Sequence, residues 1–168
     1  IKPTLRGLSE LKTNFKGFLY AGLMINNNEP YLIEYNVRMG DPECQTILPK
    51  LQTDLIDILE ACCIENLQDI NIEWKNKKSL CVVLCSNGYP DKFKKNVEIA
   101  NIQNIESDEN NLLFHAGTFI KDNKTYANGG RVLNFVSLSD NFSLSRENIT
   151  KNLKKLNWGG GFYRKDIG

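Results

Sequence analysis

The sequence predicts an α+β chain in two pieces: a β-hairpin that runs into helices, then a β-rich segment closed by a helix. Three observations predict it. Two strand-length segments flank the polar turn Asn26-Asn27-Asn28-Glu29-Pro30. Two helix starts follow, at Asp41-Pro42 and at Thr53. From Lys77 onward short strand-length segments recur until Ser143 opens a final helix with one apolar face.

The elements read in order as follows. Residues 1–16 form a polar lead-in with a helical turn around Leu8 to Leu11. Phe18 to Ile25 is continuously apolar and reads as a buried strand. Tyr31 to Asn36 is its hairpin partner. Asp41 caps the next helix, Pro42 suits its first position, Glu43 complements its dipole, and Pro49 ends it near Leu48. Thr53 caps a second helix whose apolar stripe is Leu55, Ile56, Leu59, Cys62 and Cys63. Residues 66–76 read as a connection. Leu80 to Cys85 is a strand, Ser86 to Pro90 a turn, and Val97 to Ile102 and Leu112 to Phe114 are short strands. Thr118 to Ile120 and Thr125 to Ala127 form a hairpin through Lys121 to Lys124. Gly129-Gly130 breaks the pattern before a strand from Arg131 to Val136. Ser143 caps a helix to about Leu156, with Ile149, Leu153 and Leu156 on one face. Gly159 to Gly161 reads as a flexible link to the tail.

Composition narrows the function. The chain has 168 residues and is 41% hydrophobic, enough to bury a core. Its 21 basic and 20 acidic residues leave a net charge of +1, which argues against a nucleic-acid surface. Lys75 to Lys78 and Lys92 to Lys95 are solvated charge. No apolar run approaches the roughly 18–20 residues of a membrane span. The first residues, Ile1-Lys2-Pro3-Thr4, lack both a starting Met and a signal-peptide pattern, so the chain reads as the later part of a longer one. The five cysteines, Cys44, Cys62, Cys63, Cys81 and Cys85, show no C-x-x-C pairing and read as reduced packing residues of a cytoplasmic protein.

One stretch concentrates the chemistry: Glu34-Tyr35-Asn36-Val37-Arg38-Met39-Gly40-Asp41-Pro42-Glu43. Residues two apart on a strand share a face, so Glu34 and Asn36 point the same way, with Leu32, and with Arg38 if the extended run persists. A carboxylate and an amide oxygen on one face suit a hard cation such as Mg²⁺, which completes its octahedron with phosphates and water. A guanidinium two residues on can fork a phosphoryl oxygen. These are the parts that phosphoryl transfer needs. Asp41 serves a helix cap or an ammonium group equally well. Gly130 and Arg131 form a second candidate: glycines let a backbone approach an anion, or simply mark a bend. His115, the one histidine, suits a hydrogen-bonded structural residue beside a turn.

Glu34-x-Asn36-x-Arg38 resembles the last core strand of the ATP-grasp ligases. The longer strings Leu19-Tyr20-Ala21-Gly22-Leu23-Met24 and Glu34 through Gln45 are similar to the glycinamide ribonucleotide synthetase (phosphoribosylamine–glycine ligase) family. So are Asn87-Gly88-Tyr89-Pro90, Phe114-His115-Ala116-Gly117-Thr118, Gly129 to Leu133 and Tyr163 to Gly168. The resemblance implies that residues 1–65 are the C-terminal segment of an ATP-grasp core, residues 66–76 a linker, and residues 77–168 a small β-rich domain. It implies a carbon–nitrogen ligase of purine biosynthesis using ATP, glycine and 5-phosphoribosylamine, with Mg²⁺ or Mn²⁺ on Glu34 and Asn36. Arg38 and Asp41 would be catalytic, Asn36 and Arg38 would bind the nucleotide, and Asp41, Gly130 and Arg131 would contact substrate. The adenine pocket, lid and phosphate-binding lysines would lie upstream of Ile1, leaving this chain inactive without that N-terminal remainder. Some ATP-grasp ligases carry a further metal-binding acid on the preceding strand; Phe18 to Ile25 has none. Two other readings are another ATP-grasp ligase or carboxylase, from which Gly40-Asp41-Pro42-Glu43 discriminates, and a non-catalytic interaction module.

Overall fold

The computed structural model describes residues 1–168. The chain is α+β and divides into two units, one of residues 1–44 and 51–74, the other of residues 45–50 and 75–168.

The first unit opens with helix α1 (Lys2–Glu10). It is longer than the single turn expected near Leu8, because Pro3 presets the first turn and Arg6 and Glu10 pair one turn apart at 3.0 Å. Strands β1 (Tyr20–Asn26) and β2 (Glu29–Asn36) form an antiparallel hairpin. Asn27 and Asn28 both take positive φ, 49° and 63°, the conformation that matches strand twist in a two-residue turn. The ladder pairs Asn26 with Glu29 and Leu23 with Leu32, then slips, so that Gly22 faces Glu34 and Tyr20 faces Asn36. A bulge at Ile33 is therefore built into β2. Leu23 and Gly22 are neighbours on opposite faces, so Leu32 lies on the face opposite Glu34, not beside it as strict alternation predicts. The distal half of the hairpin is not the buried strand expected. Leu23, Met24 and Ile25 are 52%, 58% and 60% exposed, because no layer of this unit covers a two-stranded sheet at its tip. Thr4 and Tyr35 share a 2.7 Å hydrogen bond that ties α1 to the hairpin.

Helix α2 (Glu43–Ile47) continues into a 3-10 turn at Leu48–Lys50 that contains Pro49. Pro42 stands just before α2, joined to Asp41 by a cis peptide bond. Helix α3 (Leu55–Cys63) is capped by Asp54, whose carboxylate accepts from the Ile56 N–H at 2.8 Å. Thr53, the expected cap, is engaged elsewhere: its hydroxyl accepts from Glu73 N–H at 2.7 Å and donates to Asn71 O at 3.3 Å. The buried side of α3 centres on Ala61 and includes Leu55, Ile58 and Cys62, whereas Ile56 is 64% exposed. The apolar stripe is thus rotated from the one expected. Residues 66–74 belong to this unit rather than forming an open connection, since Leu51 bridges Trp74 and Gln52 N–H donates to Glu73 O.

The second unit carries strands β3 (Lys78–Ser86), β4 (Val97–Ile99), β5 (Asn111–His115), β6 (Thr118–Lys121), β7 (Lys124–Ala127) and β8 (Arg131–Ser139). Helix α4 (Phe142–Leu153) and strand β9 (Gly161–Phe162) complete it. A four-stranded sheet runs β5-β8-β3-β9 and a three-stranded one β4-β7-β6, all antiparallel. The core joins one face of the larger sheet, Leu80, Val82, Leu84, Leu133 and Phe135, to Ile149 of α4 and to Ile99 and Ala127. Each such large side chain, fully buried, contributes about 1.5–3 kcal/mol. The opposite face holds Cys81, Val136 and Leu138. None of the five cysteines is in a disulfide.

Three local expectations change here. Asn141, not Ser143, caps α4, because its extended backbone aims the amide oxygen at Leu144 N–H, 2.9 Å away. β4 ends at Ile99; Ala100 bridges Asn157, and Asn101 at φ 65° turns the chain into a 3-10 turn. Gly159 to Gly161 is not a loose link. Asn87 N–H donates to Gly160 O at 2.9 Å, and Gly161 pairs with Ser86, its missing Cβ leaving room for the Trp158 indole.

Candidate functional site

In the first unit the bulge decides which side chains meet. It sets Tyr20 and Gly22 opposite Asn36 and Glu34, and cross-strand partners share a face. On that face the Asn36 amide nitrogen donates to the Glu34 carboxylate at 2.9 Å. The bond uses neither the Asn36 amide oxygen nor the second Glu34 oxygen, and both are hard donors. Gly22 lies beneath Glu34, where a Cβ would stand 3.3 Å from its Cγ.

Glu43 reaches the same place from α2. The Tyr20 hydroxyl donates to Glu43 Oε1 at 3.1 Å. Gly40 makes the approach possible: a Cβ there would stand 2.1 Å from Glu43 Oε2. The Tyr20 phenol is pushed above its ordinary value, first by its hydrogen bond and charge contact with Glu43, then by desolvation and by the charge of Glu34. Tyr20, Glu34, Asn36 and Glu43 therefore form one constellation. The sequence assigns Glu43 only a helix-dipole role and Tyr20 none. Their meeting spans 23 residues, and no local periodicity signals it.

The other expected residues are placed as follows. The extended run stops at Asn36, so alternation does not carry Arg38 onto the Glu34 face; the Arg38 guanidinium donates from Nη1 to Met39 O at 3.0 Å and stays exposed. Asp41 is exposed in the turn before α2, where Cys44 N–H donates to Gly40 O at 2.9 Å.

In the second unit, Gly130 and Arg131 sit at the start of β8. The space a Gly130 Cβ would take is filled by the Tyr89 ring, 2.1 Å from that position. Gly129 packs against Gly117, backbone on backbone. Arg131 Nε donates to the Tyr89 hydroxyl at 3.2 Å, and its guanidinium lies 6.0 Å from the centre of the Tyr89 ring. His115 Nδ1 and Thr118 Oγ1 share a 2.8 Å hydrogen bond beside the turn into β6.

The donor set of the first unit fits a divalent cation. No group of three or more His, Cys, Asp or Glu side chains is arranged around a metal position, so a cation would take oxygens from Glu34 and Asn36 and complete its shell from phosphate and water.

Comparison with known proteins gives these residues a context. Residues 79–168 match the family model described as phosphoribosylglycinamide synthetase, C domain, and residues 1–44 match that of the ATP-grasp (A) domain of the same synthetase. The chain is 41% identical, over its whole length, to a phosphoribosylamine–glycine ligase of Fusobacterium nucleatum, of which it spans 40%. It is 42% identical to that of Brucella melitensis, spanning 39% of it, and 39% identical to the chloroplastic enzyme of Arabidopsis thaliana, spanning 32%. The crystal structure of the Thermotoga maritima phosphoribosylamine–glycine ligase superposes on 98% of the chain with a TM-score of 0.79 at 32% identity, the chain covering 40% of it. With more than half its length matched by the C-domain model, the chain belongs to the phosphoribosylglycinamide synthetase family.

Proposed function

We propose that these residues are the C-terminal part of an ATP-dependent ligase that joins glycine to 5-phosphoribosylamine, giving glycinamide ribonucleotide, ADP and phosphate. The observation that carries the reading is the Glu34–Asn36 pair on one strand face, in a chain of this family. The glycine carboxylate attacks the γ-phosphorus of ATP, and ADP leaves. The amine of phosphoribosylamine then attacks the carbonyl of glycyl phosphate, releasing phosphate and a proton as the amide forms.

Glu34 and Asn36 would hold a divalent cation, Mg²⁺ or Mn²⁺, which would neutralise phosphate charge. The hydrogen bond between them would restrain both side chains before a cation binds. Arg38 has one N–H on the Met39 carbonyl, which anchors the guanidinium while its remaining donors meet the transferring phosphoryl group and the acyl phosphate. Asp41, exposed before α2, orients a substrate ammonium group. Arg131 is a substrate-binding residue in the same reading.

In this reading residues 1–65 complete an ATP-grasp core, residues 77–168 form the small β-rich domain, and a preceding segment of the longer protein supplies the adenine pocket. A cytoplasmic location goes with it. The test is a coupled ADP-release assay on the full-length protein with glycine and freshly made phosphoribosylamine. ADP release should require both; if glycine fails to stimulate it, the reading is wrong.

A further inference from the structure

Between the end of β2 at Asn36 and the start of α2 at Glu43, residues 37–42 form a turn with no helix or strand of its own. That turn carries Arg38 and Asp41. One side chain joins it to the hairpin. Glu43 folds back over the turn, its Oε2 filling the space where a Gly40 Cβ would stand, 2.1 Å away. Its Oε1 accepts from the Tyr20 hydroxyl at 3.1 Å. Tyr20 in turn pairs with Asn36 across the hairpin, so the phenol belongs to the strand end that bears the Glu34–Asn36 pair.

Simpler roles do not account for these contacts. A carboxylate that only complements a helix dipole needs neither a phenol on another strand nor a bare Cα three residues before it. Gly40 is buried and lies outside the left-handed region, so its missing side chain answers to space and not to backbone conformation. A tyrosine that only fills space needs no acceptor. Precision at such a turn matters, because a reacting group misplaced by about 1 Å can lose about a hundredfold in rate.

We propose that Tyr20 and Glu43 are positioning residues that clasp the 37–42 turn to the start of β1, holding Arg38 and Asp41 in register with the Glu34–Asn36 pair. All of these residues lie within the first unit. The inference rests on the ligase reading for what Arg38 and Asp41 act on, not for the clasp itself.

The experiment uses the full-length protein and the variants Tyr20→Phe, Glu43→Ala, Glu43→Gln, Gly40→Ala and the double variant Tyr20→Phe with Glu43→Ala. Amide hydrogen exchange over residues 37–42, Mn²⁺ affinity, and kcat and KM for ADP release are measured. Tyr20→Phe keeps the ring and removes only the hydroxyl. Glu43→Gln removes the charge and keeps an oxygen that accepts from the phenol. Tyr20→Phe, Glu43→Ala and Gly40→Ala should each speed exchange in the turn by about three- to tenfold. Each should lower kcat by about ten- to a hundredfold, with KM for ATP and Mn²⁺ affinity unchanged. Glu43→Gln should stay close to wild type. The double variant should be no worse than Glu43→Ala, because the same hydrogen bond is lost only once. Unchanged exchange and kcat in Tyr20→Phe overturn the proposal. So does a Glu43→Gln variant as impaired as Glu43→Ala, which would make the charge the working part, or a matching loss of Mn²⁺ affinity, which would make Glu43 a metal ligand. Absence of glycine-dependent ADP release in the wild type would defeat the ligase reading alone, since the exchange measurement needs no turnover.

Discussion

Asn36 donates its amide N–H to Glu34, 2.9 Å away on the same strand face, a bond that uses neither its own oxygen nor the second oxygen of Glu34. Loss of charge at Glu34 should therefore be felt as loss of cation binding. Glu34→Gln in the full-length protein is expected to lower Mn²⁺ affinity by at least about tenfold, read from the paramagnetic resonance of free Mn²⁺. The side chain is exposed, so the melting temperature should hold. Unaltered Mn²⁺ affinity would remove Glu34 from the metal site.

Tyr20 and Glu43 make a titratable pair. Contact with Glu43 raises the phenol above its ordinary value of 10.0. A folded value above the unfolded one means that the contribution is fully present below the unfolded pKa and is lost as pH rises through the folded one. The difference in ultraviolet absorbance between wild type and Tyr20→Phe should show Tyr20 ionising later than a free phenol. Glu43→Gln should move it back towards the ordinary value. An unshifted Tyr20 in the wild type would count against the pairing.

The two ends of the glycine triplet should respond oppositely. Alanine at Gly161 meets the Trp158 ring at 2.2 Å and the Cys85 carbonyl at 2.7 Å, which must displace the β9–β3 pairing. A loss of about 1–3 kcal/mol in urea unfolding is expected. At Gly159 a Cβ meets nothing within 4 Å, so Gly159→Ala should be neutral or stabilise by about 0.4–1 kcal/mol through the unfolded chain. Equal effects at the two sites would contradict the assigned packing.

Asn134 lies in the middle of β8, fully buried, level with Val83 and Phe114, and neither polar atom of its side chain has a partner. Such an amide costs stability, and an apolar β-branched replacement relieves it. Asn134→Val should raise the unfolding free energy by about 1–2 kcal/mol. A drop instead would mean that the amide is satisfied in solution.

The α+β class and the Glu34–Asn36 pair were legible because both rest on short-range periodicity. Two residues along a strand share a face whatever the tertiary surroundings. Leu32 was misassigned because one extra residue at Ile33 inverts the alternation, and no composition signal marks Ile33 as that residue. The caps went astray by one or two positions for a related reason. Thr53 and Ser143 have the right chemistry, but Thr53 is claimed by residues 71–73, and Asn141 reaches the first free N–H ahead of Ser143. The Gly159–Gly161 triplet looked loose because glycine permits freedom, yet the Trp158 indole makes its absent side chains a packing requirement. The contacts of Tyr20 with Glu43 and of Tyr89 with Arg131 are not legible in the sequence because each joins residues far apart along the chain.

The bulge at Ile33 also acts as a phase boundary. Continued without it, the ladder that starts at Asn26 and Glu29 would bring Leu19 to Asn36 and Ala21 to Glu34. Neither could offer a phenol to Glu43 or a bare Cα beneath Glu34. A single inserted residue thus selects, from a run of interchangeable-looking apolar positions, the two neighbours that the ligand pair uses. It also insulates them: the tip of the hairpin can be lengthened or shortened in paired steps without disturbing the functional end, whereas removing Ile33 alone would put the whole strand out of step with its chemistry.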